Sequence, residues 1–172
     1  MLSGKLDESA FPEKCRHILD LDRFIPYRLS VLTNRVSNAI AREYSSRFGL
    51  SIPEWRVTAV LGSSSGLSAR EVAARTEMDK VQVSRAVASL MRSRYLQRHA
   101  DEKDARITRL SLTPQGKAIY EAIVPLALGL ESKLLEALSV GERLQFDHLL
   151  GKLMRQTGSL RPKAVPSPDA GR

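Results

Sequence analysis

The fold of this chain is decided by residues 67–113, which read LSAREVAARTEMDKVQVSRAVASLMRSRYLQRHADEKDARITRLSLT. Ser68 is followed three positions later by Glu71, and this capping box predicts the start of a short helix. Asp79 is a residue type that caps helix N-termini, so we expect a second, longer helix over residues 80–94. Two helices separated by only a few residues are typical of a helix-turn-helix.

Two short stretches of alternating apolar and polar residues, at 95–100 and 107–112, follow the second predicted helix. They flank the charged segment 101–106, and this arrangement is typical of a β-hairpin. A helix-turn-helix followed by a hairpin predicts a winged helix-turn-helix. We therefore expect a mainly α fold with a small β-hairpin wing and an α-helical dimerisation region.

Long helices are expected on both sides of this segment. One apolar stripe of helical spacing ends near Gly49, and another follows residues 114–138, where Pro125 should bend the helix. Together with a last helix from residue 142, the C-terminal helices carry more apolar side chains than they could bury alone, which favours a dimer. The expected regions are an N-terminal extension (1–25), the first dimerisation and effector helices (26–61), the winged helix-turn-helix DNA-binding domain (62–113), the C-terminal dimerisation helices (114–158) and a disordered tail (159–172).

The composition indicates an anionic partner. The 172-residue chain has 27 Lys and Arg against 19 Asp and Glu, a formal net charge of +8, which suits a polymer such as double-stranded DNA. No apolar run approaches the roughly 18 residues that span a bilayer, so no membrane partner is expected. The single cysteine, Cys15, allows no internal disulfide, and the N-terminus lacks a secretion signal. We therefore expect a cytoplasmic protein.

The second helix of the pair is the candidate DNA-reading element. Val83, Val87 and Leu90 share one face and should pack inward, which leaves a polar and basic face toward solvent. A helix fits the major groove, where Gln can pair with adenine and Arg with guanine, while neighbouring elements contact the backbone. The predicted DNA-binding residues are Ser68, Arg70, Arg75, Lys80, Val81, Gln82, Ser84, Arg85, Ser89, Lys103, Asp104 and Arg106.

Several short motifs resemble those of the MarR family of bacterial transcriptional regulators. They are LSAREVA at 67–73, VSRAVASL at 83–90, DAR at 104–106 and LTPQG at 112–116, and the flanking helices extend the resemblance to residues 26–155. The resemblance implies a homodimer, joined through its terminal helices, that binds a palindromic operator and commonly represses transcription. It also implies that Asp104 orients Arg106 into the minor groove.

Two positions depart from the family pattern. Arg94 stands at the end of the recognition helix, where the family usually has glycine. A non-glycine residue held in the left-handed conformation there costs on the order of 1 kcal/mol, which the fold can tolerate. Ala105 replaces a second wing arginine, which leaves Arg106 and nearby Lys103 as the basic residues of the expected wing.

Segments 21–35 and 50–57 are similar to those of repressors of hydroxycinnamate and related aromatic-acid catabolism, some of which respond to a coenzyme A thioester. The implied effector is a small aromatic acid or its coenzyme A thioester, such as a hydroxycinnamoyl-CoA, and no bound cofactor is expected. Its pocket would need apolar walls and a few polar or cationic groups. The candidate ligand-binding residues are Tyr27, Ile52 and Trp55 as walls, Ser30 and Asn34 for a phenol or carbonyl, and Arg28, Arg35 and Arg56 for a carboxylate or phosphate.

Two alternatives stay open at this point. Cys15 could make the protein an oxidant-sensing regulator of the same type, although the chain has no second cysteine to resolve an oxidised one. The terminal helices would also suit a helical interaction protein that does not bind DNA. An enzyme is not expected, because His17, His99 and His148 are scattered and no metal-ligand spacing, phosphate-binding glycine loop or nucleophile elbow occurs. We assign no catalytic and no metal-binding residues.

Overall fold

The structure is a computed structural model that describes residues 19–160. The predictions about Cys15, His17 and nearly all of the C-terminal tail lie outside these residues. The described elements, in chain order, are α1 (Ile25–Phe48), α2 (Ile52–Ser63), α3 (Ala69–Thr76), α4 (Lys80–Arg92), β1 (Leu96–Ala100), β2 (Thr108–Leu112), α5 (Pro114–Leu135) and α6 (Val140–Leu160). The predicted fold class is confirmed.

The boundary between α1 and α2 lies where the local sequence signals place it. Gly49 adopts a φ of +68°, and its N–H donates to the carbonyl of Ser45 at 2.9 Å, which closes α1. The N–H of Ser51 donates to the Glu54 carboxylate at 2.6 Å. The Glu54 side chain therefore caps the start of the helix to which it belongs. α2 then continues to Ser63, two residues beyond the expected end.

The predicted helix-turn-helix consists of α3 and α4. The hydroxyl of Ser68 accepts the N–H of Glu71 at 3.3 Å, and the Glu71 carboxylate accepts the N–H of Ser68 at 2.8 Å, so the capping box is present. The Asp79 carboxylate accepts the N–H of Gln82 at 2.8 Å and caps α4. Glu77 ends α3 in the left-handed conformation, with φ of +53°, which we did not anticipate from the sequence.

The two strands form an antiparallel hairpin that is anchored to the helix-turn-helix. Leu96 pairs with Leu112 in the strand register, and both Leu96 and Leu110 are buried. Leu67, immediately before α3, forms a bridge with Leu110. The base of the hairpin therefore shares the core of the helices that precede it.

Packing divides the described chain into two compact units, with the boundary between Ile123 and Val124. The core of the first unit draws on α1 to α4, the hairpin and the first turns of α5. The expected regions 26–61 and 62–113 contribute to one core, because Tyr44 and Val57 are buried together with the helix-turn-helix residues. The core residues are Tyr44, Leu50, Val57, Leu61, Leu67, Val72, Met78, Val83, Ala86, Val87, Leu90, Leu96, Leu110 and Ile123.

The second unit contains the remainder of α5 and α6. α5 runs through Pro125 and ends at Leu135, three residues before the expected end. Large apolar side chains of this unit are exposed in the single chain, namely Leu128, Leu134, Val140, Leu144, Phe146, Leu149, Leu150, Leu153 and Met154. None of the described helices combines the length and the apolar composition that a bilayer crossing requires.

Candidate nucleic-acid interface

α4 has one buried face and one exposed face. Val83, Val87 and Leu90 are at most 2% exposed, as predicted, and Ala86 joins them in the core. The opposite face presents Lys80, Val81, Gln82, Ser84, Arg85 and Arg92 to solvent. Gln82 and Arg85, the two side chains on which the DNA-reading prediction depends, are thus available to an external partner.

α3 contributes two exposed arginines, Arg70 and Arg75, in the positions expected for phosphate contacts. Ser68 behaves differently, because its hydroxyl donates to the Glu71 carboxylate at 2.6 Å and its N–H donates to the same oxygen. The proton that would have reached a phosphate is already used inside the protein. Ser68 is therefore a helix cap in the structure, and its phosphate contact stays a prediction.

Ser89 is only partly exposed and lies beside Glu54 of α2. Partial burial on its own would raise the pKa of Glu54, but hydrogen bonds from Ser51 and Ser89 and the charge of Arg92 outweigh it and hold that pKa below its ordinary value. Ser89 was predicted to contact DNA, and in the structure it lies close to Glu54 in the first turn of α2, so the DNA contact stays a prediction. A groove of about 550 Å³ lies between these two elements.

The tip of the wing holds one arginine in a defined orientation. Arg106 donates from Nε to Oδ1 of Asp104 at 3.1 Å, and its backbone N–H donates to the same oxygen at 3.0 Å. The Arg106 side chain is nevertheless 92% exposed. The Asp104–Arg106 pairing that the sequence resemblance implied is therefore present, and Lys103 is exposed next to it.

Arg109 is a candidate functional residue that we did not identify from the sequence. Its Nε donates to Oδ2 of Asp101 at 2.6 Å, at the start of the wing turn. Its Nη1 donates to Oε2 of Glu71 in α3 at 2.9 Å and to the carbonyl of Gly66 at 3.3 Å. One guanidinium thus connects the helix-turn-helix to the wing.

The pKa values of these groups reflect the same contacts. The hydrogen bond from Arg109 lowers the pKa of Asp101, and backbone N–H groups of the wing turn lower it further. Hydrogen bonds from Ser68 lower the pKa of Glu71, with a smaller contribution from Arg109. The hydrogen bond to Asp101 raises the pKa of Arg109. Both carboxylates are therefore ionised at neutral pH, as the ion pairs require.

The candidate effector residues fall into two groups. Tyr27, Arg28 and Arg35 line a groove of about 600 Å³ at the start of α1, together with apolar side chains that include Leu21, Ile25 and Leu32. Ser30 and Asn34 are exposed on the same helix but do not line this groove. Ile52, Trp55 and Arg56 lie on α2 and are partly buried.

Trp55 packs between two tyrosines. Its ring centroid is 5.7 Å from that of Tyr44 and 6.2 Å from that of Tyr120. Burial raises the pKa of Tyr44 to about 12. Tyr27 precedes Tyr44 by 17 positions on α1, about 25 Å along a helix, so within one chain Tyr27 and Trp55 do not share a pocket. The candidate ligand-binding residues therefore lie in two places within one chain, the groove on α1 and the aromatic cluster around Trp55, and their role stays a prediction.

Gly62 explains why Tyr120 fits against this cluster. A Cβ added at Gly62 would lie 2.5 Å from the Tyr120 ring, closer than real contacts allow.

Within residues 19–160, no group of three or more His, Cys, Asp and Glu side chains is placed to hold a metal ion.

Comparisons with known proteins agree with this architecture. Residues 48–107 match the family model described as MarR family. The HTH-type transcriptional regulator BilQ of Clostridium symbiosum (strain WAL-14163) is 33% identical over 93 residues, which is 54% of this chain and 65% of that protein. The match therefore spans slightly less than two thirds of that relative's length.

Solved structures extend the likeness over most of the chain. A MarR/EmrR family transcriptional regulator from Acinetobacter sp. ADP1 is 29% identical with a TM-score of 0.75, and the alignment covers 82% of this chain and 99% of that one. A probable transcriptional regulator from Pseudomonas aeruginosa is 28% identical with a TM-score of 0.69, covering 77% and 98% respectively. The chain is therefore similar to MarR-type transcriptional regulators over residues 48–107, and the two structural neighbours share its fold.

Proposed function

We propose that this protein is a MarR-type transcriptional regulator that binds double-stranded DNA as a homodimer. In the proposal, α4 enters the major groove, the arginines of α3 contact phosphates and the wing reaches the minor groove. The observation that carries the proposal is the two-sided character of α4. Gln82 and Arg85 face solvent while Val83 and Val87 are buried on the opposite side.

The charge distribution supports the same surface. Exposed basic side chains accompany the outward face of α4, namely Arg70, Arg75, Lys80, Lys103 and Arg106. Cations of this kind displace counterions from the phosphate backbone, so the affinity they provide falls steeply with salt. The net charge of +8 has the sign that such an interface needs.

Exposed apolar side chains of α6 support the homodimer. Phe146, Leu149 and Leu153 recur at helical spacing, and each of these residues is between 42% and 49% exposed in the single chain. Single exposed apolar residues are ordinary, whereas a contiguous stripe marks an association surface. In a two-fold dimer the two copies of α4 are related by symmetry, which favours a palindromic operator.

In the full proposal the protein is a repressor that leaves its operator when an effector binds. The groove at the start of α1 supports an anionic ligand with an apolar body, because Arg28 and Arg35 lie beside Tyr27 and Leu32. An aromatic acid has these properties. A thioester such as hydroxycinnamoyl-CoA adds phosphates that the two arginines would attract, and the resemblance at residues 21–35 favours this class.

A salt titration of DNA binding tests the proposed function. A labelled 30-base-pair duplex of mixed sequence is titrated with the full chain at about 50 and 200 mM salt, and fluorescence anisotropy gives the affinity. We expect binding that weakens roughly a hundredfold or more over this range, because phosphate contacts release counterions. A helical interaction protein would leave the anisotropy unchanged at both salt concentrations, and that result would overturn the proposal.

A thermal-shift screen tests the effector class. Aromatic acids and their coenzyme A thioesters are added singly, and a ligand that binds the folded protein raises its melting temperature. Arg35→Gln should reduce the shift, whereas Arg42→Gln, on the same helix but outside the groove lining, should preserve it. Release of DNA by the free acid alone would reject the thioester version.

A further inference from the structure

A continuous series of hydrogen bonds connects the start of α3 to the wing. The Ser68 hydroxyl donates to Oε2 of Glu71 at 2.6 Å, and Nη1 of Arg109 donates to the same oxygen at 2.9 Å. Nε of Arg109 then donates to Oδ2 of Asp101 at 2.6 Å. These contacts join residues that are far apart in the sequence and belong to three different elements of the DNA-binding surface.

The same series continues to the tip of the wing. Oδ1 of Asp101 accepts the backbone N–H groups of Lys103 and Asp104 at 2.9 and 3.0 Å. Oδ1 of Asp104 accepts from Nε of Arg106 at 3.1 Å. Every step from Glu71 to Arg106 is therefore a direct hydrogen bond or a neighbouring position in the chain.

Polar contacts have to fix the tip because apolar packing contributes little there. Ile107 is 39% exposed, and Ala105 and Arg106 are also exposed. The buried apolar residues of the hairpin, Leu96 and Leu110, lie in the strands and anchor the base of the wing. The orientation of the tip relative to α3 thus depends on the contacts of Asp101, whose side chain is bound by Arg109.

The chemistry of this link suits arginine in particular. A guanidinium is planar and rigid, so two of its N–H groups can hold two carboxylates at a fixed separation. The Arg109 side chain is 26% exposed, and Nε and Nη1 are directed to different carboxylates. A lysine at this position has one flexible ammonium group and would keep the charge without the fixed geometry.

We infer that Arg109 is a positioning residue for the DNA contact of the wing, acting through Asp101 and Asp104 on Arg106. The inference rests on the proposed function, since it assumes that the protein binds DNA. Arg106 can enter the minor groove while α4 occupies the major groove only when the wing tip is held at one place relative to the helix-turn-helix. Arg109 supplies that restraint without touching DNA itself.

Minor-groove entry by an arginine has a measurable signature. A·T tracts have a narrow minor groove with enhanced negative potential, which attracts inserted arginines. A correctly held Arg106 should therefore make the protein prefer a duplex with A·T tracts over a G·C-rich duplex of equal length. This ratio of affinities reports on the wing, whereas a general loss of folded protein lowers both affinities together.

The test measures that ratio for the full-length protein by fluorescence anisotropy, on two labelled 30-base-pair duplexes. The variants are Arg106→Gln, Arg109→Gln, Arg109→Lys and the double variant of Arg106→Gln with Arg109→Gln. Arg98→Gln is the matched control, because Arg98 is an exposed arginine of the same hairpin and lies outside the series of contacts. Thermal melts establish that each variant is folded. Should Arg109→Gln fail to fold, Asp101→Asn removes the same link from its other side.

We expect the wild type to prefer the A·T duplex by about tenfold, the order of discrimination that a single groove contact provides. Arg106→Gln and Arg109→Gln should each abolish the preference for the A·T duplex. Arg109→Lys should not restore it. The double variant should have the same ratio of affinities as Arg106→Gln alone. Arg98→Gln should lower the affinities for the two duplexes by the same factor and leave their ratio unchanged. A wild type that binds neither duplex would overturn the proposed function and this inference with it. A wild type that binds both equally, or an Arg109→Gln variant with an unchanged ratio, would overturn the inference alone.

Discussion

The hydroxyl of Thr113 donates a hydrogen bond to the carbonyl oxygen of Arg94 at 2.7 Å. Arg94 has φ of +59°, and the N–H of Thr113 donates to the next carbonyl, that of Tyr95, at 3.1 Å. The same hydroxyl accepts the N–H of Gly116 at 3.1 Å, in the first turn of α5. One threonine therefore connects the turn after α4 to the start of α5, and it holds a strained residue in place.

Replacing Arg94 with glycine should stabilise the protein. A left-handed conformation costs a residue other than glycine on the order of 1 kcal/mol, and glycine adopts it without this cost. We expect the free energy of unfolding, measured in urea, to rise by about 1 kcal/mol. Ala88→Gly is the control, because Ala88 is an exposed helical residue of α4. Its replacement should lower the free energy of unfolding by about 1 kcal/mol. A loss of stability in Arg94→Gly would contradict this explanation.

The two glycines Gly116 and Gly129 of α5 should respond oppositely to substitution by alanine. A Cβ at Gly116 would collide with the carbonyl of Tyr95, whereas a Cβ at Gly129 meets no atom within 4 Å. Gly116→Ala should destabilise by about 2 kcal/mol or more through overpacking, and Gly129→Ala should stabilise by roughly 0.5–1 kcal/mol through helix propensity. Thermal unfolding followed by circular dichroism measures both, and similar melting temperatures for the two variants would refute the packing shown by the structure.

Acid should weaken the start of α6 through Glu142. Hydrogen bonds from the hydroxyl and the N–H of Ser139 lower the pKa of this carboxyl from its ordinary value of 4.5. Because the folded-state pKa is the lower one, the stabilisation is fully present above pH 4.5 and disappears as pH falls through the folded-state value.

The melting temperature of Glu142→Gln should therefore depend less on pH below 4.5 than that of the wild type, because glutamine does not titrate. Glu131→Gln, on α5, is the control, because it keeps the capping box of Ser139 and Glu142. Its melting temperature should depend on pH as that of the wild type does. Parallel curves for the wild type and Glu142→Gln would show that the capping box does not contribute.

A charge placed on the exposed stripe of α6 should weaken self-association. Leu149→Glu puts a carboxylate into a surface that the homodimer would bury, where an unpaired charge is costly. We expect the dissociation constant of the dimer to rise by about tenfold or more, measured by light scattering across a concentration series. His148→Glu places the same carboxylate on the opposite side of α6 and should leave the dissociation constant unchanged. A monomeric wild type would reject the dimer.

Local signals accounted for most of the elements that build the candidate site. Capping residues such as Ser68 and Asp79 mark helix starts because they satisfy the nearby N–H groups of the same turn. Helical spacing likewise separated the buried face of α4 from the face with Gln82 and Arg85. Such features depend on residues a few positions apart, and for that reason the sequence alone was sufficient to predict them.

The features that could not be predicted depend on contacts between distant segments. Arg109 has an ordinary place on a strand, and only the folded chain shows that it reaches Glu71 and Asp101. Ser89 likewise lies beside Glu54, and Trp55 packs against the rings of Tyr44 and Tyr120. Helical periodicity shows which side of a helix is apolar, but it does not show which partner covers that side.

The central claim is that the outward face of α4 reads DNA sequence, and selection from a random duplex pool tests it most directly. The wild type should enrich an inverted repeat with half-sites about one helical turn apart. The Gln82→Ala, Arg85→Ala double variant should still bind pool DNA through phosphates and the wing, but it should no longer enrich the inverted repeat. A wild type that enriches nothing, or a double variant that enriches the same repeat, would contradict the account.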